Sequence, residues 1–296
     1  MDWSALSKTL STEHGLDLKI ESASPVGGGD IHQAFHLKTL DDSYFLKVNR
    51  TEALPLFQTE AHSLETLLAT GVVEAPKPLA YGRVEDKSFL LMTYLQMGFQ
   101  GDDEQRGKDL ALIHHQIQQN KQFGWFEDNY IGHTLQQNTW HTDWIEFYRD
   151  ARLLPQLELA ATQGASSDLI NSGSQLAEEL PKFFQDYQPE ASLLHGDLWG
   201  GNSSFLATGE AVFFDPASYY GDRETDLAMT ELFGGFSKAF YDGYNEIFPI
   251  NKGYAMRRPL YQLYHQLNHF NLFGGHYQQQ SLHTIESLLK TQPGSF

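Results

Sequence analysis

Cysteine is absent from the 296 residues. That excludes disulfides, thiolate metal sites and cysteine nucleophiles. Positive charge is scarce: 20 lysines and arginines stand against 38 aspartates and glutamates, a formal net charge of −18. No basic run interrupts this acidity, so no nucleic-acid or membrane partner is expected; the acidity itself favours solubility. Long apolar runs are missing too. Stretches such as SFLLMTYL at 88–95 fall well short of a bilayer span. The opening MDWSALSKTL has neither the basic region nor the apolar core of a secretory signal, so a cytoplasmic protein is expected. With 41% hydrophobic and 20% charged residues the chain can bury an ordinary core, and its length suits one large domain or two modest lobes.

What is present changes character along the chain. LKIESASPV, AFHLKTL and YFLKVN are short runs rich in β-branched and aromatic residues, with Asp41 and Asp42 marking a turn between the last two. From Pro55 to about Thr70, Leu56, Leu64, Leu67 and Leu68 recur at helical spacing, and Gly71 closes the segment. PLAYGRV and SFLLMTYL read as two further strands, split by the turn EDK. Beyond Met97 helical patterns dominate, as in DLALIHHQIQQ, TDWIEFYRDARLLPQLELA and LINSGSQLAEELPKFFQDY. In PLYQLYHQLNHF, Leu260, Leu263, Tyr264 and Leu267 share one face. The expectation is an α+β chain without internal repeats: a β-rich lobe over 1–95, a hinge near 92–98, and an α-rich lobe over 96–296.

The chemistry concentrates in 193-LLHGDLWGGNSSF-205. His195, Asp197 and Asn202 stand in the order H-x-D-x-x-x-x-N, which phosphoryl transfer from ATP explains. An aspartate there accepts the proton of an attacking hydroxyl, and the asparagine turns its amide oxygen to Mg²⁺. A lone H-x-D also fits a capped turn. Asp215, however, follows a predicted strand at 211–214, where a second oxygen ligand for Mg²⁺ is needed. Upstream, 25-PVGGGDIHQAF-35 is a glycine-rich turn whose backbone N–H groups can approach phosphates. His32 stands where the third glycine of G-x-G-x-x-G belongs, so an ordinary hairpin loop is the competing reading. Lys47 lies in an otherwise apolar strand and needs a partner if it points inward; Glu60 on the following helix is the expected one. A surface lysine is the alternative. The segment 92–95, with Met92 and Tyr94, is expected to offer backbone groups to adenine. His114 and His115 point apart on a helix, which argues against a shared metal site.

Together these segments resemble the fructosamine kinase family, the ketosamine 3-kinases, within the larger protein-kinase-like and aminoglycoside phosphotransferase-like fold. The matching stretches include GGGDIHQAF, FLKVN, FGWFEDNYIG, LLHGDLWGGN, FFDPASYYGDRETDLAMTELFGGF and YQLYHQLNHFNLFGG, from about residue 20 to about 280. The resemblance implies a two-lobed fold with an antiparallel-sheet N-lobe and a mainly helical C-lobe. It implies that Asp197 is the catalytic base, that Asn202 and Asp215 hold Mg²⁺, and that Lys47, oriented by Glu60, binds ATP phosphates. Gly27, Gly28, Gly29 and Asp30 would cover those phosphates. His195 and Asp226 would support the catalytic loop, and Trp199 would wall the sugar site. Two departures stand out: Gly200 occupies a position where relatives usually have serine, and Asp30 lies where some relatives carry a redox-active cysteine.

The expected activity is ATP-dependent phosphorylation of a ketosamine hydroxyl, O3 by resemblance. Asp222 and Glu224 are candidates for the cationic substrate amine. A small-molecule kinase for another hydroxyl, such as that of an aminoglycoside, choline or free sugar, is the alternative; so is a catalytically inactive nucleotide-binding module. The substrate would be a free or protein-bound ketosamine. The sequence does not fix the oligomeric state, and a monomer is the expectation.

Overall fold

A computed structural model describes residues 1–27, 32–98 and 100–291. In chain order the elements are α1 (Trp3–His14), β1 (Ser22–Val26), β2 (Gln33–Lys38), β3 (Ser43–Arg50), α2 (Leu54–Ala69), β4 (Pro78–Val84), β5 (Lys87–Thr93) and β6 (Met97–Gly98). There follow α3 (Asp103–His114), β7 (Asn129–Ile131), β8 (Thr134–Gln136), α4 (Trp144–Tyr148), α5 (Leu154–Thr162), α6 (Ser167–Glu179) and β9 (Ser192–Leu193). The last are β10 (Ser203–Leu206), β11 (Ala211–Phe213), β12 (Tyr220–Gly221), α7 (Glu224–Leu232), α8 (Lys238–Ile247), α9 (Tyr254–Phe273) and α10 (Tyr277–Lys290). The chain divides into two compact units, 1–101 with 204–216, and 102–203 with 217–296.

The first unit is built on a five-stranded antiparallel sheet in the order β1-β2-β3-β5-β4. Strand alternation sorts its side chains between two layers. Leu46 and Val48 of β3 and Phe89 and Leu91 of β5 pack with Leu6 and Leu10 of α1. Leu90 and Met92 point the other way, onto Phe57, Ala61 and Leu64 of α2. This explains why β5 is apolar at successive positions: helices cover both faces. It also fixes Lys47, which is registered opposite Leu90 and so lies on the α2 side. Helix α1 falls in a stretch read from sequence as mostly β. Its signals are nonetheless ordinary: Asp2 caps the N-terminus through Ser4 and Ala5, and Gly15 ends it in the left-handed region at φ 68°.

The sequence pattern left 204–216 with the helical half, yet this segment belongs to the sheet-rich unit. β10 pairs antiparallel with β6 through Phe205↔Gly98 and Leu206↔Met97. The N–H of Phe213, at the end of β11, donates to the Glu74 carbonyl at 3.0 Å. Gly101 permits the approach, since a Cβ there would stand 2.1 Å from the Phe205 ring. These pairings join residues far apart in the chain, which local patterning does not register.

The second unit is mainly helical. The expected apolar face of α9 is buried, including Leu260, Leu263, Tyr264 and Leu267. Between α4 and α5 a π-helical turn at 149–153 carries Arg152 inward. Its guanidinium lies 4.0 Å over the Tyr219 ring and donates to Asn138 Oδ1 at 2.7 Å, so a fully buried cation is held by π faces and amide oxygens.

Helices α3 and α8 meet backbone to backbone because each has a glycine at the crossing. A Cβ on Gly107 would lie 1.9 Å from the Phe240 carbonyl oxygen, and one on Gly243 would lie 2.1 Å from that of Glu104. Backbone cannot step aside as a side chain can. Gly107→Ala is therefore expected to cost about 3 kcal/mol, read as a lowered urea midpoint with an unchanged slope. An unshifted midpoint would show that the two helices can separate freely.

Candidate active site

Strand geometry delivers the first cluster. Lys47 leaves β3 on the α2 side, and its Nζ donates to Glu60 Oε1 at 2.7 Å and to Asp215 Oδ1 at 2.6 Å. Only 9% of the Lys47 side chain is exposed, against 47% for Asp215. Burial acts to lower the Lys47 pKa, but Asp215 and Glu60 outweigh it, and the net shift is upward. The ammonium is therefore permanently charged at physiological pH. Burial pushes Glu60 up to about 7 despite the attraction of Lys47, with Asp215 adding repulsion. One ammonium cannot neutralise two carboxylates, and the buried one bears the cost. Asp215 sits just past β11 in the left-handed region at φ 55°, which aspartate tolerates better than most residues.

Around this cluster the other expected nucleotide contacts are unevenly placed. Gly27 is exposed, with nothing within 4 Å of where a Cβ would stand. Gly28, Gly29 and Asp30 lie outside the described residues. Met92 is in the core beneath α2, so any contact it makes with a base would run through its backbone. Tyr94 is exposed and stacks on His36 at 3.9 Å.

The second cluster is the loop after β9. Asp226, on α7, accepts the N–H of His195 at 2.7 Å on Oδ2 and that of Gly196 at 2.9 Å on Oδ1. Gly196 has φ 86°, and a Cβ there would sit 2.0 Å from the Ala217 carbonyl oxygen, so only glycine fits. Asn202 then turns back onto the loop, and its Nδ2 donates to the Asp197 carbonyl at 2.8 Å and to Asp197 Oδ2 at 3.1 Å. The amide nitrogen is thus committed to Asp197. Trp199 exposes its ring over Gly201, where a Cβ would come within 2.3 Å of the indole.

Among the described residues no group of three or more His, Asp or Glu side chains could hold a metal alone. Asp215 and Asn202 each carry an oxygen donor of the type that a hard cation takes.

A family model described as fructosamine kinase matches residues 2–291. The chain belongs to the fructosamine kinase family. It is 41% identical to a protein named probable ketoamine kinase of Synechocystis, over 97% of both chains. It is 38% identical to the chloroplastic protein-ribulosamine 3-kinase of Arabidopsis thaliana, over 93% of this chain and 85% of that protein. A solved Haemophilus somnus structure classed with the fructosamine-3-kinases superposes with a TM-score of 0.87 at 28% identity, covering 97% of each chain. The α+β class implied by the resemblance is thus the class of the structure.

For a fructosamine kinase family member, the glycine at 200 is a mild departure. Nothing lies within 4 Å of a Cβ there, so the serine usual in relatives would fit without displacing a neighbour. The two proposed substrate carboxylates require correction. Asp222 is fully buried and accepts from Tyr187 Oη at 2.9 Å, from Tyr261 Oη and from the Glu224 N–H. Glu224 is also buried and forms a two-pronged pair with Arg257, at 2.7 and 2.8 Å. These carboxylates brace α7 against α9 and present no face to a substrate amine.

His114, set aside above only as half of a shared metal site, has a role that the sequence reading did not assign. It is fully buried on α3, and its Nε2 lies 3.1 Å from Asp226 Oδ2 while its Nδ1 lies 2.7 Å from Tyr244 Oη. Burial lowers its pKa in spite of Asp226, so the ring is neutral and its Nε2–H donates to the carboxylate. Tyr244 donates to Nδ1 and accepts from Arg223 Nη1 at 3.1 Å. Burial alone would raise Asp226, but the hydrogen bond from His114 and the loop's own groups hold it below its usual value. The sequence signal was a histidine in line with buried Leu110 on one helix face. His114→Leu is expected to lower kcat roughly 10-fold or more, the cost of a lost buried hydrogen bond to a charged group, with KM for ATP unchanged. Equal kcat would make His114 a packing residue only.

Proposed function

We propose that the protein is an ATP-dependent ketosamine 3-kinase, moving the γ-phosphoryl group of ATP to O3 of an amine-linked ketose. The observation that carries this reading is the buried Lys47 bridged to Glu60 and Asp215, in a chain whose relatives are named ketoamine and ribulosamine kinases. Such a lysine is a fixed cation for phosphate oxygens, and Glu60 sets its direction. The substrate is taken to be a small-molecule or protein-bound ketosamine, and the compartment the cytoplasm. No helix among the described residues is long and apolar enough to cross a membrane.

In this reading Asp197 orients the acceptor hydroxyl and takes its proton as the oxygen–phosphorus bond forms and the bond to ADP breaks. Asn202 holds one Asp197 carboxylate oxygen, which limits the rotamers open to the base. Asp226, through the His195 and Gly196 N–H groups, keeps the loop from drifting. Lys47 offsets charge on the phosphates. Mg²⁺, held by Asn202 and Asp215, would neutralise phosphate charge when bound. Little covalent chemistry is asked of the protein, so positioning and electrostatics supply most of the rate.

The test is incubation with Mg-ATP and fructosyl-lysine or ribulosyl-lysine, with the product located by phosphorus and carbon NMR. A 3-phosphate and stoichiometric ADP are expected. Transfer to a different hydroxyl, or only to an aminoglycoside, choline or free sugar, would overturn the assignment. Asp197→Asn is expected to cut kcat about 10²–10⁴-fold, the range for loss of a general base, with ATP affinity retained. Full turnover in that variant would remove Asp197 from the role of base.

A further inference from the structure

A cavity of about 10 Å³ lies against the loop after β9 and is lined by Gly196 of that loop, Asp226 of α7 and His265 of α9. That volume is room for one water. His265 is 5% exposed, and its Nδ1 has no hydrogen-bond partner among the described residues. A buried ring nitrogen left in that condition is costly. Tyr148, Tyr261 and Tyr264 also line the cavity, but their hydroxyls donate elsewhere, to the Leu260 carbonyl, to Asp222 and to Gln136 Oε1.

Burial, together with repulsion from His269 and Arg152, lowers the His265 pKa to about 3 against the pull of Asp226. The ring is therefore neutral. A neutral imidazole carries one N–H and one bare nitrogen, so Nδ1 needs a partner in either tautomer. On the other side, Asp226 stays ionised, its pKa held below the usual value by the groups that donate to it. Its Oδ2 takes the His195 N–H and lies 3.1 Å from His114 Nε2, while its Oδ1 takes the Gly196 N–H. A carboxylate oxygen with one hydrogen bond has a second lone pair to offer. Cavities that stay dry are apolar. This one has a carboxylate and a ring nitrogen in its wall, and a water, being both donor and acceptor, suits both.

We infer that one ordered water occupies this cavity and bridges His265 Nδ1 to the Asp226 carboxylate, so that His265 is a positioning residue for the loop that carries Asp197. The two N–H groups that Asp226 accepts belong to the residues immediately before Asp197, so a shift of the Asp226 carboxylate shifts Asp197 with it. A bridging water is nearly as good as a direct hydrogen bond. It ties α9 to a carboxylate that α3 already braces through His114. The bridge orients Asp197 and does not touch nucleotide, so its loss falls on kcat and not on KM for ATP. That consequence rests on the kinase reading; the water site itself does not.

Two measurements test it. A high-resolution crystal structure of the wild-type protein is expected to show one water within hydrogen-bond reach of both His265 Nδ1 and Asp226. A dry cavity, or a His265 ring turned out of it, overturns the inference whether or not the protein is a kinase. Three substitutions then read the role of the side chain. His265→Asn places a polar atom where Nδ1 stands, His265→Gln places one nearer Nε2, and His265→Leu has neither. With Mg-ATP and fructosyl-lysine, His265→Asn is expected to keep kcat within about twofold of wild type, and the other two to lose roughly 3- to 10-fold, the range of one hydrogen bond. KM for ATP is expected to stay unchanged in all three. A pure packing role gives the opposite order, because leucine leaves less empty space than asparagine. His265→Asn as slow as His265→Leu, or equal kcat in all three, overturns the inference and leaves the kinase reading standing. Should His265→Leu fail to fold, the comparison of asparagine with glutamine decides. If the wild type phosphorylates no ketosamine, the kinase reading falls, and the crystal structure alone decides the water site.

Discussion

A lysine ammonium buried in a sheet is expensive unless carboxylates meet it, and the first unit is arranged around that requirement. Strand alternation turns Lys47 from the α1 layer to the α2 layer, Glu60 comes from α2, and Asp215 arrives on a segment that joins the sheet-rich unit from far along the chain. The cost appears in Glu60, which burial raises to about 7 even with a cation at 2.7 Å. A structure selected for stability alone would have little use for two carboxylates on one ammonium. One that must hold a permanent cation toward phosphate oxygens does.

The second unit solves a different problem, holding a glycine-containing loop in one shape. Asp226 takes two successive backbone N–H groups, and the line Arg223–Tyr244–His114 supplies it with a further donor. Because the members of that line are buried, each hydrogen bond is worth more than it would be in water, and each missing one costs more. Asp222 and Glu224 perform similar work at the start of α7, tied to α9 through Tyr261 and Arg257. The acidic cluster that the sequence presents as a candidate amine site is thus largely a brace.

Much of this was legible before any coordinates. The five strands of the main sheet, α2, and the apolar face of α9 follow from period and turn chemistry. The pairing of Lys47 with Glu60 followed from asking what an inward lysine on an apolar strand requires. Other features depend on contacts between distant parts of the chain. β10 and β6 pair across a long separation, so the allegiance of 204–216 could not be read locally. Asp222 and Glu224 look like surface acids because the residues that bury them, Tyr187, Tyr261 and Arg257, lie elsewhere in the sequence. His114 was dismissed as one of two diverging histidines; the divergence is real, and it is what sends His114 inward while His115 stacks on Phe248.

The central claim is that the Lys47 ammonium exists to bind nucleotide phosphate, and calorimetric titration of Mg-ATP into Lys47→Met tests it most directly. Methionine keeps the length of the side chain and removes the charge. The account predicts that the folded variant binds Mg-ATP roughly 10-fold more weakly or worse, the scale of a lost charged hydrogen bond. Wild-type affinity in that variant would contradict it.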